Sequence, residues 1–138
     1  FTTVDLFLLD LWTGKASLDK LGAAGSYLMQ AEGLSLLGGD ALPLGILENV
    51  ESGEKLMQLH QGDTLILLSD GVEDAYENRQ SMEETIRDAL TLETAQDAAN
   101  AILTGAQSGD TAPADDQTVL VLRLIRARVD AKIEEMYQ

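Results

Sequence analysis

Residues Gln61–Asn78 read Gln-Gly-Asp-Thr-Leu-Ile-Leu-Leu-Ser-Asp-Gly-Val-Glu-Asp-Ala-Tyr-Glu-Asn, and the rest of the chain is organised around this stretch. A Gly-Asp turn precedes a continuous apolar run, Thr64–Leu68, which ends abruptly at Ser-Asp-Gly. A short apolar run between turn residues is typical of a strand buried on both faces, although a buried helix has the same pattern. Asp70 is therefore predicted where a core strand reaches the surface.

Asp70 is a candidate metal ligand, because a carboxylate at the end of a rigid strand is well supported and free to reach a ligand. Gly71 next to it lets the backbone turn, or lets another group approach closely. Taken alone, the Ser-Asp-Gly tripeptide is explained more simply as a turn after a strand.

A second acidic motif, Asp115-Asp116-Gln117, leads directly into another very apolar run, residues 118–125. If the two runs are antiparallel neighbours, the end of one lies beside the start of the other, and Asp70 converges with Asp115. Converging carboxylates repel unless they are protonated or bridged by a cation. Oxygen ligands suit Mg²⁺ or Mn²⁺, and metal-assisted hydrolysis is the natural chemistry. The alternative is that Asp115 only ends a loop or caps the strand.

Two hairpins and a further strand are predicted before Gln61, from alternating patterns and turn residues. The predicted strands are residues 3–11, with both faces mostly buried, and residues 16–21, 26–30, 34–37 and 54–59. Residues 42–46 contain Pro43 and Gly45 and are predicted to be irregular. His60, the only histidine, is interpreted as an exposed turn residue rather than a general base.

Helices are predicted after Asn78. Ser81 is expected to cap the first of them and Thr94 the second, each before apolar residues at helical spacing. The two apolar sets are Met82, Ile86, Ala89 and Leu90, and Ala95, Ala98, Ala99, Ile102 and Leu103. Asp74 is expected to start a short helix. Residues 126–138 are predicted to form a helical tail with one apolar face.

The composition narrows the choice of partners. A chain of 138 residues has the size of one domain, and its net charge of −15 argues against nucleic acid and anionic membranes as partners. Without cysteine it has no disulfide or thiolate site. We find no apolar stretch long enough to span a bilayer and no signal-peptide pattern. The chain starts in strand-like sequence without an initiator Met, so we interpret it as part of a longer protein.

Five segments carry a family resemblance. They are Thr-Thr-Val-Asp-Leu-Phe-Leu-Leu-Asp-Leu-Trp-Thr-Gly, Lys-Leu-Gly-Ala-Ala-Gly-Ser, Leu-Pro-Leu-Gly-Ile-Leu, Gly-Asp-Thr-Leu-Ile-Leu-Leu-Ser-Asp-Gly-Val-Glu-Asp-Ala and Ala-Asp-Asp-Gln-Thr-Val-Leu-Val-Leu. In this order and spacing they resemble the bacterial branch of the metal-dependent PP2C-type (PPM) serine/threonine phosphatases. The resemblance is greatest to the phosphatase domain of the stage II sporulation protein E family, and it covers residues 1 to about 125.

The resemblance implies an α+β fold, an antiparallel β-sandwich flanked by helices in α-β-β-α layers, of which residues 1–125 form the C-terminal part. It implies a centre of two Mn²⁺ or Mg²⁺ ions, with Asp70 and Asp115 as metal ligands and Gly71 and Asp116 as supporting residues. In the family, metal-bound water attacks phosphoserine or phosphothreonine directly, without a phospho-enzyme.

The family's first Asp-Gly motif, which bridges both metals, does not occur in this chain. We therefore expect the full-length protein to be a phosphatase and this segment alone to be inactive. The resemblance implies a cytoplasmic domain acting on a phosphorylated regulator such as an anti-anti-sigma factor, with any membrane anchor outside this segment. The tail and unpaired sheet edges favour self-association. A non-catalytic PPM-like interaction domain is the alternative.

Overall fold

The computed structural model describes residues 3–21, 24–38, 54–109 and 115–126. The strands are β1 (Val4–Leu9), β2 (Lys15–Leu21), β3 (Ser26–Gln30), β4 (Gly33–Leu37), β5 (Lys55–Gln58), β6 (Thr64–Leu68) and β7 (Val119–Arg123). The helices are α1 (Asp70–Glu73), α2 (Arg79–Ala89) and α3 (Ala95–Ala106). Residues 42–46, which are predicted to be irregular, lie outside the described residues. Nearly all of the predicted helical tail, residues 126–138, does so too.

The strands form two antiparallel sheets, ordered β1-β2-β5 and β4-β3-β6-β7. Apolar side chains from both sheets meet between them, with Ala16, Leu28 and Leu59 at the centre of this cluster. The predicted antiparallel sandwich and both predicted hairpins are thus confirmed.

Helices α2 and α3 pack on the outer face of the four-stranded sheet. The buried residues of this second core are Tyr27, Ile66, Leu68, Val72, Met82, Ile86, Ala89, Ala98, Ile102, Ala106 and Val121. The apolar stripes predicted for the two helices supply most of their buried residues, because residues three or four apart share one face of a helix. The core thus anchors the end of β6, from which Asp70 emerges.

The predicted caps of the two long helices have different outcomes. Thr94 caps α3 as predicted, since its hydroxyl accepts a hydrogen bond from the Asp97 N–H at 3.0 Å. The prediction for Ser81 is wrong: Asn78 caps α2 and accepts the Ser81 N–H at 2.9 Å. Asparagine is as good a cap as serine, and it comes one turn earlier.

The prediction that Asp74 starts a short helix is wrong, because Asp74 lies at the end of a helix. Helix α1 begins at Asp70, directly after the extended residue Ser69, and Asp74 is its C-cap. The polypeptide turns into the helix as soon as β6 ends, so no loop remains in which Asp74 could act as an N-cap.

The prediction that both faces of the first strand are mostly buried is also wrong. Val4, Leu6 and Leu8 on one face of β1 are 37%, 50% and 59% exposed, whereas Phe7 and Leu9 pack between the sheets. The three-stranded sheet buries one face against the other sheet, and no described helix lies on its second face.

None of the described helices is long and apolar enough to cross a membrane.

Lys20 is buried between the sheets, at 3% exposure. Its ammonium nitrogen lies 2.7 and 2.8 Å from the two carboxylate oxygens of Asp5 and donates to the Ser26 hydroxyl at 2.8 Å. The charge is therefore paired and hydrogen-bonded, which is what allows a lysine to be buried. This network joins β1 and β2 of one sheet to β3 of the other.

Candidate metal site

Strands β6 and β7 are antiparallel neighbours, with Leu68 opposite Val119. Asp70 follows the end of β6 and Asp115 precedes the start of β7, so both lie beyond the same edge of the four-stranded sheet. This pairing was the condition for the predicted convergence of the two acidic motifs, and the structure meets it.

Ser69 binds the two motifs together. Its backbone N–H donates to the Thr118 carbonyl at 3.0 Å, and its hydroxyl accepts the Thr118 N–H at 2.9 Å. The same hydroxyl donates to the Asp116 carbonyl at 3.1 Å. Three hydrogen bonds at one residue, two to Thr118 and one to Asp116, therefore hold the segment that follows Asp115 against the end of β6.

Gly71 lies directly against this segment. A Cβ atom at position 71 would collide with the backbone carbonyl of Asp116 and lie 3.2 Å from the Asp115 carbonyl oxygen. Of the two roles predicted for Gly71, the structure shows close approach by another group. The contact at position 71 is made by the backbone of Asp116, not by its side chain.

The two candidate ligands have the same local geometry. Asp70 Oδ1 accepts the Gly71 N–H at 3.0 Å, and Asp115 Oδ1 accepts the Asp116 N–H at 2.8 Å. Both side chains are exposed, and Oδ2 of neither accepts a hydrogen bond from a described residue. Each carboxylate is oriented through one oxygen and has the other available for a hard cation, which fits Mg²⁺ or Mn²⁺.

The described ranges bring no three acidic or histidine side chains together as a complete metal site. His60 is exposed, as predicted, with its Nδ1 3.7 Å from Asp63 Oδ2. The buried Asp63 carboxylate accepts the His60 backbone N–H and the Gln30 side-chain amide, both at 2.8 Å, which stabilises the turn before β6.

Gln117 belongs to the second acidic motif, and the sequence predicts no role for it. Its amide nitrogen donates to the Gly71 carbonyl at 3.2 Å, and its amide oxygen is buried without a hydrogen-bond partner among the described residues. Its position two residues after Asp115 was the only available signal, since a glutamine side chain has no chemistry that predicts this contact.

The comparison with protein families decides the assignment. The family model described as stage II sporulation protein E (SpoIIE) matches residues 1–125. The chain belongs to the SpoIIE family. Stage II sporulation protein E of Priestia megaterium is 32% identical over 72 residues, which are 52% of this chain and 12% of that protein. The SpoIIE-family chain thus spans a small part of the length of the relatives it matches.

Solved structures give the same assignment for the fold. The PP2C phosphatase domain of SpoIIE from Bacillus subtilis, with a fragment of its regulatory domain, is 26% identical and superposes with a TM-score of 0.75. The match covers 88% of this chain and 37% of that one. The catalytic domain of the phosphatase PstP in complex with 2 manganese ions shares the fold, with a TM-score of 0.72, 21% identity, and coverage of 90% of this chain and 59% of that one. The chain has the fold of part of a PP2C-type phosphatase domain.

Proposed function

We propose that this SpoIIE-family chain is part of a metal-dependent protein serine/threonine phosphatase. The observation that carries the proposal is the β6–β7 junction, which packs the Ser-Asp-Gly motif against the Asp-Asp motif at the edge of a PP2C-type fold. The two carboxylates presented there, after the end of β6 and before the start of β7, have little structural use, since both side chains are exposed. Binding of a ligand better explains why two carboxylates are placed at this position.

In this proposal Asp70 and Asp115 bind Mn²⁺ or Mg²⁺, two ions being held in the complete domain. Gly71 and Asp116 support them through backbone packing. The bound metals would activate water and neutralise charge on the phosphoryl oxygens. The chain's own contribution is to present two oriented carboxylates on a rigid sheet edge, which lowers the cost of assembling the site.

The family assignment and the resemblance to SpoIIE support a finer proposal for the substrate. It is phosphoserine on a regulatory protein such as a phosphorylated anti-anti-sigma factor, in the cytoplasm. Hydrolysis of this phosphoserine would control sigma-factor activity during sporulation. Self-association through the tail, residues 126–138, and through an unpaired sheet edge is also part of the proposal.

We further propose that the 138-residue chain alone binds metal weakly and turns over little or no substrate. Asp70 and Asp115 supply only part of a site for two metals, and the described residues add no third acidic or histidine side chain beside them. A weakly held ion would lack the bridging ligand that places it for catalysis.

The test measures Mn²⁺ binding, from the electron paramagnetic resonance signal of free Mn²⁺, and phosphatase activity on p-nitrophenyl phosphate and a phosphopeptide. Asp70→Asn and Asp115→Asn should each abolish the weak binding. Asp88→Asn, which makes the same charge change on the exposed face of α2, should not. Equal binding by all four proteins would reject the metal site and favour the non-catalytic interaction domain. Clear turnover that Asp70→Asn abolishes would instead reject the proposal that this chain alone is inactive.

A further inference from the structure

Gln117 follows Asp115 by two residues, and its side chain donates a hydrogen bond to the carbonyl of Gly71, the residue directly after Asp70. We propose that Gln117 is a positioning residue that sets the separation of Asp70 and Asp115. This inference rests on the proposed function, because it concerns how the same metal site is held.

The contact joins the two motifs by a short path. Gln117 lies two residues after Asp115, and its Nε2 donates to the carbonyl of Gly71, the residue directly after Asp70, at 3.2 Å. The two bonded residues are 46 positions apart in the sequence. Ser69 holds the same two segments from the other side of Asp70, through the Asp116 carbonyl. Asp70 therefore lies between two residues that are each bonded across to the second motif.

The unpaired oxygen of Gln117 indicates that stability alone does not explain a glutamine here. A carbonyl oxygen can only accept, so the Gly71 contact requires the amide nitrogen to face it. The amide oxygen is left buried without a partner among the described residues, which is unfavourable. An apolar side chain of similar length would avoid that cost and lose only the bond to Gly71. What glutamine adds at this position is the fixed distance between the motifs.

A fixed distance matters for a cation held by carboxylates. Two like charges repel in the absence of metal, so the segments that carry them tend to separate. A bond from Gln117 to Gly71 opposes that separation, and the site then needs less rearrangement when a cation binds. Loss of the bond should weaken metal binding without weakening the fold.

The test uses Gln117→Met, which keeps the length of the side chain and removes its amide. The matched control is Gln96→Met, because Gln96 is an exposed glutamine on α3 that also donates from Nε2, to Asn100 Oδ1 at 3.1 Å. We expect roughly tenfold weaker Mn²⁺ binding for Gln117→Met, as for other residues that orient metal ligands. Its melting temperature without metal should be unchanged or higher, and Gln96→Met should bind Mn²⁺ as the unmodified chain does.

Unchanged Mn²⁺ affinity in Gln117→Met would overturn the inference, as would a loss of affinity accompanied by a matching loss of stability. If the unmodified chain binds Mn²⁺ no better than Asp70→Asn, the proposed metal site fails. The positioning role is then decided by amide hydrogen exchange at residues 70–72 without metal. Exchange there should be several-fold faster in Gln117→Met, and an unchanged rate would overturn the inference.

Discussion

Ser69 and Thr118 are joined by two hydrogen bonds that run in opposite directions between the end of β6 and the start of β7. The Ser69 N–H donates to the Thr118 carbonyl at 3.0 Å, and the Thr118 N–H donates to the Ser69 hydroxyl at 2.9 Å. A side-chain oxygen thus replaces a backbone carbonyl where the regular ladder stops. The pairing of the strands is extended to the residues that flank the two candidate ligands.

Gly71→Ala tests how closely the motifs must pack. The new methyl group would collide with the Asp116 carbonyl, so one segment must shift. We expect a loss of about 1–3 kcal/mol in the free energy of unfolding, as for other overpacked sites. Urea unfolding measures this loss, and Mn²⁺ binding should weaken with it.

The control for Gly71→Ala is Gly109→Ala, because no atom of the described residues lies within 4 Å of a Cβ at position 109. That variant should stay within about 0.5 kcal/mol of the unmodified chain. Equal stability of the two alanine variants would contradict the close contact at Gly71.

Substitution by phenylalanine should affect the stability of the fold differently at Tyr27 and at Tyr76. The Tyr27 hydroxyl is buried without a hydrogen-bond partner among the described residues, whereas the Tyr76 hydroxyl donates to the Ile102 carbonyl at 2.7 Å. Tyr76→Phe should destabilise the fold by about 0.5–1.5 kcal/mol. Tyr27→Phe should leave stability unchanged or raise it, because no bond is lost.

Urea unfolding of the two tyrosine variants checks this prediction. A clear loss of stability in Tyr27→Phe would show that its hydroxyl has a partner, such as a buried water. Burial raises the pKa of both hydroxyl groups, so both are protonated at neutral pH and the comparison involves no charge.

Lys20→Met should be among the most destabilising substitutions of a charged residue in this fold. It leaves the Asp5 carboxylate, whose side chain is 15% exposed, without its cation. Removing one member of a buried ion pair costs about 3–5 kcal/mol. Thermal or urea unfolding measures the loss.

The pair Arg87 and Glu83 on α2 is the control for Lys20, because these side chains are 3.4 Å apart and 48% and 26% exposed. Arg87→Met should cost about 0.5 kcal/mol or less. Adding Asp5→Leu to Lys20→Met should recover part of the lost stability, since the unpaired charge is then removed. A double variant no more stable than Lys20→Met alone would contradict this explanation.

Asp10 makes the turn between β1 and β2 sensitive to acid. The Trp12 N–H, which donates to Asp10 Oδ1 at 2.8 Å, together with hydrogen bonds from Thr13, holds the pKa of Asp10 below its usual value. The folded state therefore binds fewer protons here than the unfolded state. The stabilisation is complete above the unfolded pKa of about 3.9, and it is lost as the pH falls through the lower folded pKa.

An NMR titration of the Asp10 carboxyl carbon checks the direction of this shift. Asp10→Asn should be less stable than the unmodified chain at neutral pH, and the difference should shrink as the pH falls below about 4. A titration midpoint at or above the usual aspartate value would rule out this account of the turn.

Much of the fold could be predicted because its signals are local. The apolar run at Thr64–Leu68 matches β6 residue for residue, and Thr94 caps α3 as predicted. The predictions that failed depended on neighbours that the local pattern does not show. Val4, Leu6 and Leu8 look like one face of a buried strand, but whether that face is covered depends on which layer lies against it.

The sequence by itself determined where along the chain the strands, the two long helices and the two acidic motifs lie, because turn residues and apolar periodicity act within a few positions. Only the tertiary structure decided that these motifs pack against each other. Pairing of β6 with β7 brings together residues that are 46 positions apart, and packing at Gly71 and the Gln117 bond fix their contact. Those contacts follow from strand register, which depends on the whole core rather than on either motif.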